Sequence, residues 1–278
     1  MVSIVVPAHD EAKVLDRLLR PLLATARPDE LDVVVVPNGC TDNTASIAES
    51  FGIRVVTTPV ASKAKALRLG DAAARGFPRL YVDADVELGT EDVRALAAAL
   101  ERPGVLAAAP ERRLVMSGRP WPVRWYYAIW TRLPEVRAGL FGRGVIGVTE
   151  EGYARLRGLP EVIADDLAMS LAFTAAERMV VAESRSVIHP PRTWRDLVRR
   201  RARAATGVGQ LEAAELGQAG GSARTGVRDL LGIVRREPRL LPCLAVFLTV
   251  TVLARRRARH TGTTTWLRDE SSRSPSAS

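Results

Sequence analysis

The sequence predicts an α/β fold in which a mostly parallel central sheet is flanked by helices and followed by a C-terminal helical extension. Two observations lead to this prediction. Short, uninterrupted apolar runs rich in β-branched residues alternate with segments of helical periodicity over the first hundred residues, and the links between them are short. Runs that are apolar throughout are typical of strands covered on both faces, and strand–helix alternation builds parallel sheets.

Four apolar runs predict the first four strands, at residues 2–7, 31–37, 53–58 and 79–83. In parallel sheets, ligands bind beyond the carboxyl ends of the strands. The polar residues that follow these runs are therefore candidate site residues. They are Asp10, Asn38, Lys63, Asp83 and Asp85.

Apolar residues three and four positions apart predict the intervening helices. The first helix has this spacing from Val14 to Leu22, with Asp10 as its N-cap. The second helix is opened by Asp42 or Thr44 and runs to about Phe51, and the third ends at Gly76.

The regular alternation of strand and helix patterns ends after residue 90. The pattern then predicts a helix at 91–101, separate strands at "VLAAAP" and "RRLVM", and an aromatic segment at 121–130 that we interpret as core. A strand at 144–149, a helix at 164–177, a strand at "MVVAES" and a long basic helix from Trp194 follow.

The positive charge is concentrated in the C-terminal quarter. The formal net charge is +9, and residues 192–260 contain fifteen arginines against five acids, so the remainder carries about −1. This distribution favours an anionic membrane surface or an anionic substrate over nucleic acid. The two cysteines are far apart, and no secretory signal pattern opens the chain, so we expect a cytoplasmic protein without a disulfide framework.

Asp83 and Asp85 follow a buried strand and are two residues apart, so their side chains point to the same side of an extended chain. Two carboxylates this close repel each other unless a cation lies between them, and Mg²⁺ or Mn²⁺ is the natural candidate. A single D-x-D is a weak signal, since solvated acids are common. The turn after the first strand also lacks the glycines of a dinucleotide site, which argues against hydride transfer.

Six motifs in order strengthen this interpretation. They are "VSIVVPAHDE", "VVVVPNGCTDNTA", "SKAKALRLG", "LYVDADVEL", "ADDLAMSLAF" and "RRRARAATG". Together they resemble family 2 glycosyltransferases, nucleotide-sugar-dependent inverting enzymes of the GT-A fold. The resemblance covers roughly residues 2–210. It implies a nucleotide-sugar-binding half at 1–110 and an acceptor-binding, catalytic half at 111–212; we expect a basic helical segment at 213–260 and a disordered tail at 261–278.

The resemblance also assigns the donor side of the site. Asp85 is expected to hold the metal on the diphosphate, and Asp83 to assist it or to contact the sugar and ribose. Asn38 stands where the family usually has the acid that holds the nucleobase, and an amide can also pair with a base edge. The remaining expected donor-binding residues are Pro7, Asp10, Glu11, Asp42, Lys63, Arg200 and Arg203.

The resemblance places the catalytic base at Asp166, with Asp165 beside it. Acids at a helix start also cap the helix, so one of the two can have that role while the other faces the crevice. The resemblance makes His189 a candidate additional metal ligand, although a capped loop histidine is the favoured explanation. Ala204 stands where processive members have a tryptophan, which argues for transfer of a single sugar.

Residues 240–254 are uncharged and are flanked by arginines. Because a straight span needs about 20 apolar residues, a buried helix, a shallow segment and a marginal span remain open. We favour association with the inner face of the cell membrane, which suits a lipid-linked acceptor as well as a hydroxyl acceptor. The alternative function is a catalytically degenerate protein of this fold that acts as a membrane-binding or interaction module, because Pro37, Asn38 and Arg68 depart from the family pattern.

Overall fold

The computed structural model describes residues 1–158, 165–213 and 226–260. The described strands form one seven-stranded sheet in the order β3-β2-β1-β4-β6-β5-β7. Their bounds are β1 Val2–Ala8, β2 Leu31–Pro37, β3 Arg54–Val55, β4 Arg79–Val82, β5 Ala107–Leu114, β6 Val145–Val148 and β7 Arg178–Ile188. The first four strands are parallel, β6 is antiparallel to both β4 and β5, and β5 and β7 are parallel. The predicted mostly parallel sheet is confirmed.

The helices of the first half are α1 Leu15–Leu23, α2 Thr44–Ser50, α3 Lys63–Ala73 and α4 Thr90–Leu100. Those of the second half are α5 Trp121–Trp130, α6 Pro134–Ala138, α7 Glu150–Leu156, α8 Asp165–Leu171 and α9 Trp194–Ala213. The C-terminal extension consists of α10 Val227–Arg236 and α11 Leu241–His260. The predicted tail 261–278 and part of the 213–260 segment lie outside the described residues.

Alternating residues of the central strands supply two layers of core. On β1, Ile4 and Val6 pack in one layer with α1 and α4, whereas Val5 packs in the other layer. Because strand side chains alternate in direction, a wholly apolar strand is the expected sequence of a strand covered on both faces.

A separate apolar cluster joins α5, α9, α10 and α11. Phe247 of α11 stacks on Tyr126 of α5, with ring centroids 5.1 Å apart. The interpretation of the aromatic segment as core is correct for Tyr126, Tyr127 and Trp130, but Trp121 and Trp125 are exposed.

Three boundaries of the sequence-based prediction are wrong. The third strand is two residues long, the third helix ends at Ala73, and the helix at 164–177 ends at Leu171 within the described residues, before a turn closed by Glu177. The strands predicted at "VLAAAP" and "RRLVM" form one strand, β5. Its pairing with β7 shifts register at Pro110, where proline lacks the N–H of a regular ladder.

Asp10 is not the N-cap of α1. That helix begins at Leu15, and Asp10 has a φ of 49°, a left-handed conformation that aspartate and asparagine tolerate better than other side chains. The Asp10 carboxylate instead accepts a hydrogen bond from the Thr41 N–H at 2.6 Å. It therefore ties the loop after β1 to the loop after β2.

Candidate active site

Lys63 and Asp83 form an ion pair at the carboxyl edge of the parallel strands. Lys63 is the first residue of α3, and Ser62 caps this helix by accepting from the Lys65 N–H at 3.2 Å. The Lys63 Nζ lies 2.8 Å from Oδ1 of Asp83, and both side chains are partly exposed. A helix start and an ammonium group at one point form a natural anion site.

Three acids alternate with buried apolar residues after β4. Asp83, Asp85 and Glu87 are half-buried, whereas the residues between them pack into the core. Within the described chain, Asp85 makes no hydrogen bond or ion pair through its carboxylate. Asp85 is therefore the acid of this set that, among the described residues, has both carboxylate oxygens left for an external cation.

Glu87 holds His189. The two side chains are joined by a hydrogen bond of 2.7 Å between Nε2 of His189 and Oε1 of Glu87. The backbone of Glu87 also pairs with Val187 at the end of β7. Sequence reasoning missed Glu87, although its two-residue spacing from Asp85 was a usable signal. The expectation that His189 binds metal stays a prediction, and its Nδ1 is the nitrogen outside this bond.

The loop at 142–144 connects the D-x-D segment to the predicted base. The Asp83 N–H donates to the Gly144 carbonyl at 2.8 Å, and the Gly142 N–H donates to Oδ2 of Asp166 at 2.7 Å. Both glycines have positive φ, and a Cβ on Gly144 would lie 2.3 Å from Cγ1 of Val86. Only glycine fits this close approach.

Asp166 and the donor-side residues line one small cleft. Its walls include Pro7, Lys63, Asp83, Gly144 and Asp166. Oδ1 of Asp166 also accepts from the Leu167 N–H at 2.8 Å, so backbone donors orient both oxygens. Asp165 is the first residue of α8, and its side chain lies outside the described part of the structure.

Asp10, Cys40 and Asp42 form a cluster in which one ligand atom of each residue lies within 4.8 Å of the others. Among the described residues, this is the group of three or more potential metal-ligating side chains whose ligand atoms lie this close together. The ligand atoms of Asp83, Asp85 and His189 do not form such a group. Backbone N–H groups of the protein already donate hydrogen bonds to side chains of this cluster. Asp42 accepts from the Ala12 N–H at 3.2 Å and the Thr44 N–H at 3.0 Å, and Cys40 accepts from the Asp10 N–H. We interpret this cluster as a structural contact that holds the loop after β1 against the loop after β2.

Glu11 and Asn38 are buried at the base of these loops. The Glu11 N–H donates to Oγ1 of Thr44 at 2.8 Å. The Asn38 side chain is 2% exposed, and its Nδ2 donates to the Ala8 carbonyl at 2.8 Å. Contact between Asn38 and a nucleobase stays a prediction, and it requires this side chain to become more accessible than in the described conformation.

Arg200 and Arg203 lie half-buried on α9, one turn apart. Helix α9 contacts α8, which carries Asp166, so both arginines belong to the helix behind the cleft. Neither is among the residues that line it. Their expected contact with the diphosphate stays a prediction.

Comparison with known proteins identifies the family. Residues 3–154 match the family model described as Glycosyl transferase family 2. An uncharacterized glycosyltransferase of Mycobacterium tuberculosis is 31% identical over 121 residues, which is 44% of this chain. The chain matches about half of that relative, 52% of its length. A relative from Mycobacterium bovis gives the same values.

Solved structures share the fold. A mannosyltransferase from Pyrobaculum calidifontis, in complex with GDP-Man and Mn²⁺, has a TM-score of 0.62 at 21% identity and covers 95% of this chain and 76% of its own. Glucosyl-3-phosphoglycerate synthase from Mycobacterium tuberculosis, with Mn²⁺, UDP-glucose and phosphoglyceric acid, has a TM-score of 0.56 at 20% identity, covering 76% and 80%. The GT-A fold expected from the six motifs is confirmed, and the chain belongs to glycosyl transferase family 2.

Proposed function

We propose that this protein is an inverting, metal-dependent glycosyltransferase that moves one sugar from a nucleotide-diphosphate sugar to a hydroxyl or lipid-phosphate acceptor. The observation that carries the proposal is the cleft in which Lys63, Asp83 and Asp166 meet. Lys63 supplies a cationic group for phosphate and Asp166 supplies a carboxylate for an acceptor proton, and both residues line this cleft.

On the donor side, the residues fit a divalent cation. The half-buried Asp85 carboxylate offers oxygens, and Mg²⁺ or Mn²⁺ commonly binds through one or two carboxylates together with substrate phosphates. Asp85 would hold the ion, with Asp83 and His189 as further candidate ligands. When bound, the ion supplies positive charge that stabilises the departing diphosphate. Lys63 adds a second positive charge and positions Asp83 through their ion pair.

On the acceptor side, Asp166 receives the proton of an attacking hydroxyl. The acceptor oxygen forms a bond to C1 of the sugar while the bond from C1 to the diphosphate oxygen breaks, and the proton moves to Asp166. Attack opposite the leaving group inverts C1. A phosphate acceptor is already ionised at neutral pH, since its second pKa is about 6. Asp166 therefore matters as a base for hydroxyl acceptors alone.

We also propose that the enzyme works at the cytoplasmic face of an anionic membrane. The segment Pro238–Arg259 is long and apolar enough to cross a membrane, but one face of α11 packs on α5 and α9. The other face exposes Leu241, Leu248, Val252 and Leu253. A helix with one face held by protein and one apolar face exposed suits a position in the membrane interface.

The test is a donor panel. The protein is incubated with common nucleotide sugars, with and without Mn²⁺, and released nucleoside diphosphate is measured. The proposal predicts cation-dependent release from at least one donor. Absence of release from every donor in the presence of vesicles and candidate acceptors would contradict it and favour the degenerate alternative.

A further inference from the structure

A large cavity lies beside the cleft, and we name it the arginine cavity. Its volume is about 1200 Å³, and among the described residues that line it are six arginines and one acid, Glu111. The arginines are Arg112, Arg124, Arg132, Arg137, Arg143 and Arg236. A cavity of this size holds a drug-sized ligand or a head group with part of a chain.

Two of these arginines form the floor of the cavity, where Arg143 is buried and Arg112 is half-buried. Arg143 is 1% exposed and is satisfied by the carbonyls of Pro110, Gly139 and Arg137. Arg112 donates to the Val136 carbonyl and stacks over the Trp130 ring, 4.8 Å from its centroid. However, Nη1 of Arg112 is buried without a hydrogen-bond partner among the described residues. Burial first, and then the Arg143 charge, lower the pKa of Arg112, as expected where positive charge is crowded and under-compensated.

The rim adds further positive charge. Arg132 is neutralised by both carboxylate oxygens of Glu237, at 2.6 and 3.0 Å. Arg124, Arg137 and Arg236 are exposed, and in the described structure their side chains make no hydrogen bond or ion pair. The cavity therefore has donors on its floor and rim that no protein acceptor uses.

The arginine cavity adjoins the proposed base. A Cβ built on Gly142 would lie 3.7 Å from Nη1 of Arg112, and the N–H of this same glycine holds Asp166. The charges of Glu111 and then Asp166 partly oppose the lowering of the Arg112 pKa by burial. The 142–144 loop thus separates the cleft, on the Gly144 side, from the arginine cavity, on the Arg143 side.

The mouth of the cavity is aromatic and apolar. Trp121 and Trp125 line it, are exposed by 58% and 37%, and contact each other edge to face at 4.8 Å. Both belong to α5, which packs on α11. Helix α11, which carries the exposed apolar face, is therefore in direct contact with the helix that forms the mouth of the cavity.

We propose that the arginine cavity is the acceptor site and that the acceptor is an amphiphile with a phosphate head and an apolar tail. This inference rests on the proposed function and selects the lipid-phosphate acceptor. The head accepts hydrogen bonds from Arg112 on the floor and from Arg124, Arg137 and Arg236 on the rim. The tail leaves over Trp121 and Trp125. Phosphate oxygens match guanidinium groups in charge and in paired geometry.

The experiment measures direct binding of octyl phosphate to the full-length protein by calorimetry, without donor or metal. Octanol tests the tail alone, and inorganic phosphate tests the head alone. The proposal predicts that octyl phosphate binds more tightly than either. Arg124→Gln and Arg236→Gln should each weaken it about tenfold, because each removes a charge-assisted hydrogen bond.

Arg235→Gln is the matched control, since Arg235 is exposed, adjacent to Arg236 and absent from the cavity wall. Equal affinity in all variants, or octanol binding as tightly as octyl phosphate, would overturn the proposal. Inorganic phosphate binding as tightly as octyl phosphate would overturn the amphiphilic acceptor.

Nucleoside diphosphates with Mn²⁺ provide a second arm. Because the donor is expected in the cleft, they should not displace octyl phosphate, and displacement would show that the cavity is a donor site. The two proposals fail separately. Cation-dependent donor use without octyl phosphate binding would refute only the acceptor site. Octyl phosphate binding without any donor use would refute the transferase and leave the cavity as a binding site for phosphate amphiphiles.

Discussion

Asp83 and Asp166 are hydrogen-bonded to opposite ends of one three-residue loop, Asp83 to the Gly144 carbonyl at 2.8 Å and Asp166 to the Gly142 N–H at 2.7 Å. The strand that supplies Asp83 and the helix that supplies Asp166 are more than eighty residues apart in sequence. The antiparallel strand β6 brings them together, because its first residues lie against the last residues of β4. The loop therefore fixes the spacing between Asp83, proposed for donor binding, and Asp166, proposed as proton acceptor.

Asp85→Asn is expected to abolish the effect of the divalent cation on donor turnover. The amide keeps the shape of the side chain but removes the charge, so we expect at least ~100-fold loss, the scale of losing one electrostatic contact to a leaving group. The measurement is nucleoside diphosphate release over a Mn²⁺ titration. Glu101→Gln, an exposed acid away from the cleft, is the control. A variant at Asp85 that kept the full response to Mn²⁺ would exclude this residue as the metal ligand.

With a hydroxyl acceptor, Asp166→Asn should reduce transfer by about 100- to 10,000-fold, as loss of a positioned general base does. Transfer to a phosphate acceptor, which is already ionised, should fall far less. The Michaelis constant for the donor should change little, because the Gly142 N–H can still donate to the amide oxygen. Steady-state kinetics of Asp166→Asn and Asp165→Asn distinguish which of these two adjacent aspartates acts as the base. A larger loss in kcat at Asp165 would move the role of base to that residue.

Gly144→Ala should destabilise the protein more than Gly118→Ala. The two glycines have the same φ of 67°, but a Cβ at Gly144 meets Val86 at 2.3 Å, whereas one at Gly118 meets nothing within 4 Å. The left-handed conformation costs roughly 1–2 kcal/mol in both variants, and overpacking adds about 1–3 kcal/mol at Gly144. Denaturant unfolding measures both free energies. Equal losses would show that Val86 moves without cost.

Acid should weaken the attachment of the C-terminal helices through Glu237. Hydrogen bonds from Arg132 and then Arg239 lower the pKa of this carboxyl to about 2. Because the folded pKa lies below the unfolded one, of about 4.3, the stabilisation is present above the unfolded pKa and is lost as the pH falls toward 2.

Glu237→Gln removes this linkage. The melting temperature of the wild type should exceed that of the variant at pH 6, and the gap should narrow as the pH falls from about 4.5 to 2. Glu101→Gln again serves as the control. A gap that stays constant across this range would show that the Arg132 contact does not depend on the ionisation of Glu237.

The exposed face of α11 should govern vesicle binding. Leu248→Asn and Val252→Asn replace exposed apolar side chains, whereas Thr249→Asn replaces an exposed polar side chain on the same helix. The binding constant for anionic vesicles, measured by co-sedimentation, should fall at least ~10-fold for the first two and stay unchanged for the third, since each buried apolar side chain contributes roughly 1.5–3 kcal/mol. Unchanged sedimentation of all three variants would contradict an interfacial α11.

The sequence was sufficient to predict the alternating strands and helices and the convergence of Lys63 with Asp83, because periodicity and parallel-sheet geometry are local rules. It was insufficient for Asp10, whose positive φ is imposed by a loop thirty residues away. It also failed to predict the arginine cavity. The residues of that cavity come mainly from β5, α5, α6 and α10, with Arg143 from the 142–144 loop. They share no sequence period, so only tertiary packing brings them together.

The central claim is that a cation held by a carboxylate of this cleft binds the diphosphate of the nucleotide. Calorimetric titration of nucleoside diphosphates tests this claim most directly. The account predicts that at least one of them binds more tightly with Mn²⁺ than without it, and that Asp85→Asn loses this gain while retaining the cation-independent affinity contributed by Lys63. Equal affinity with and without Mn²⁺ for every purine and pyrimidine diphosphate would contradict the account.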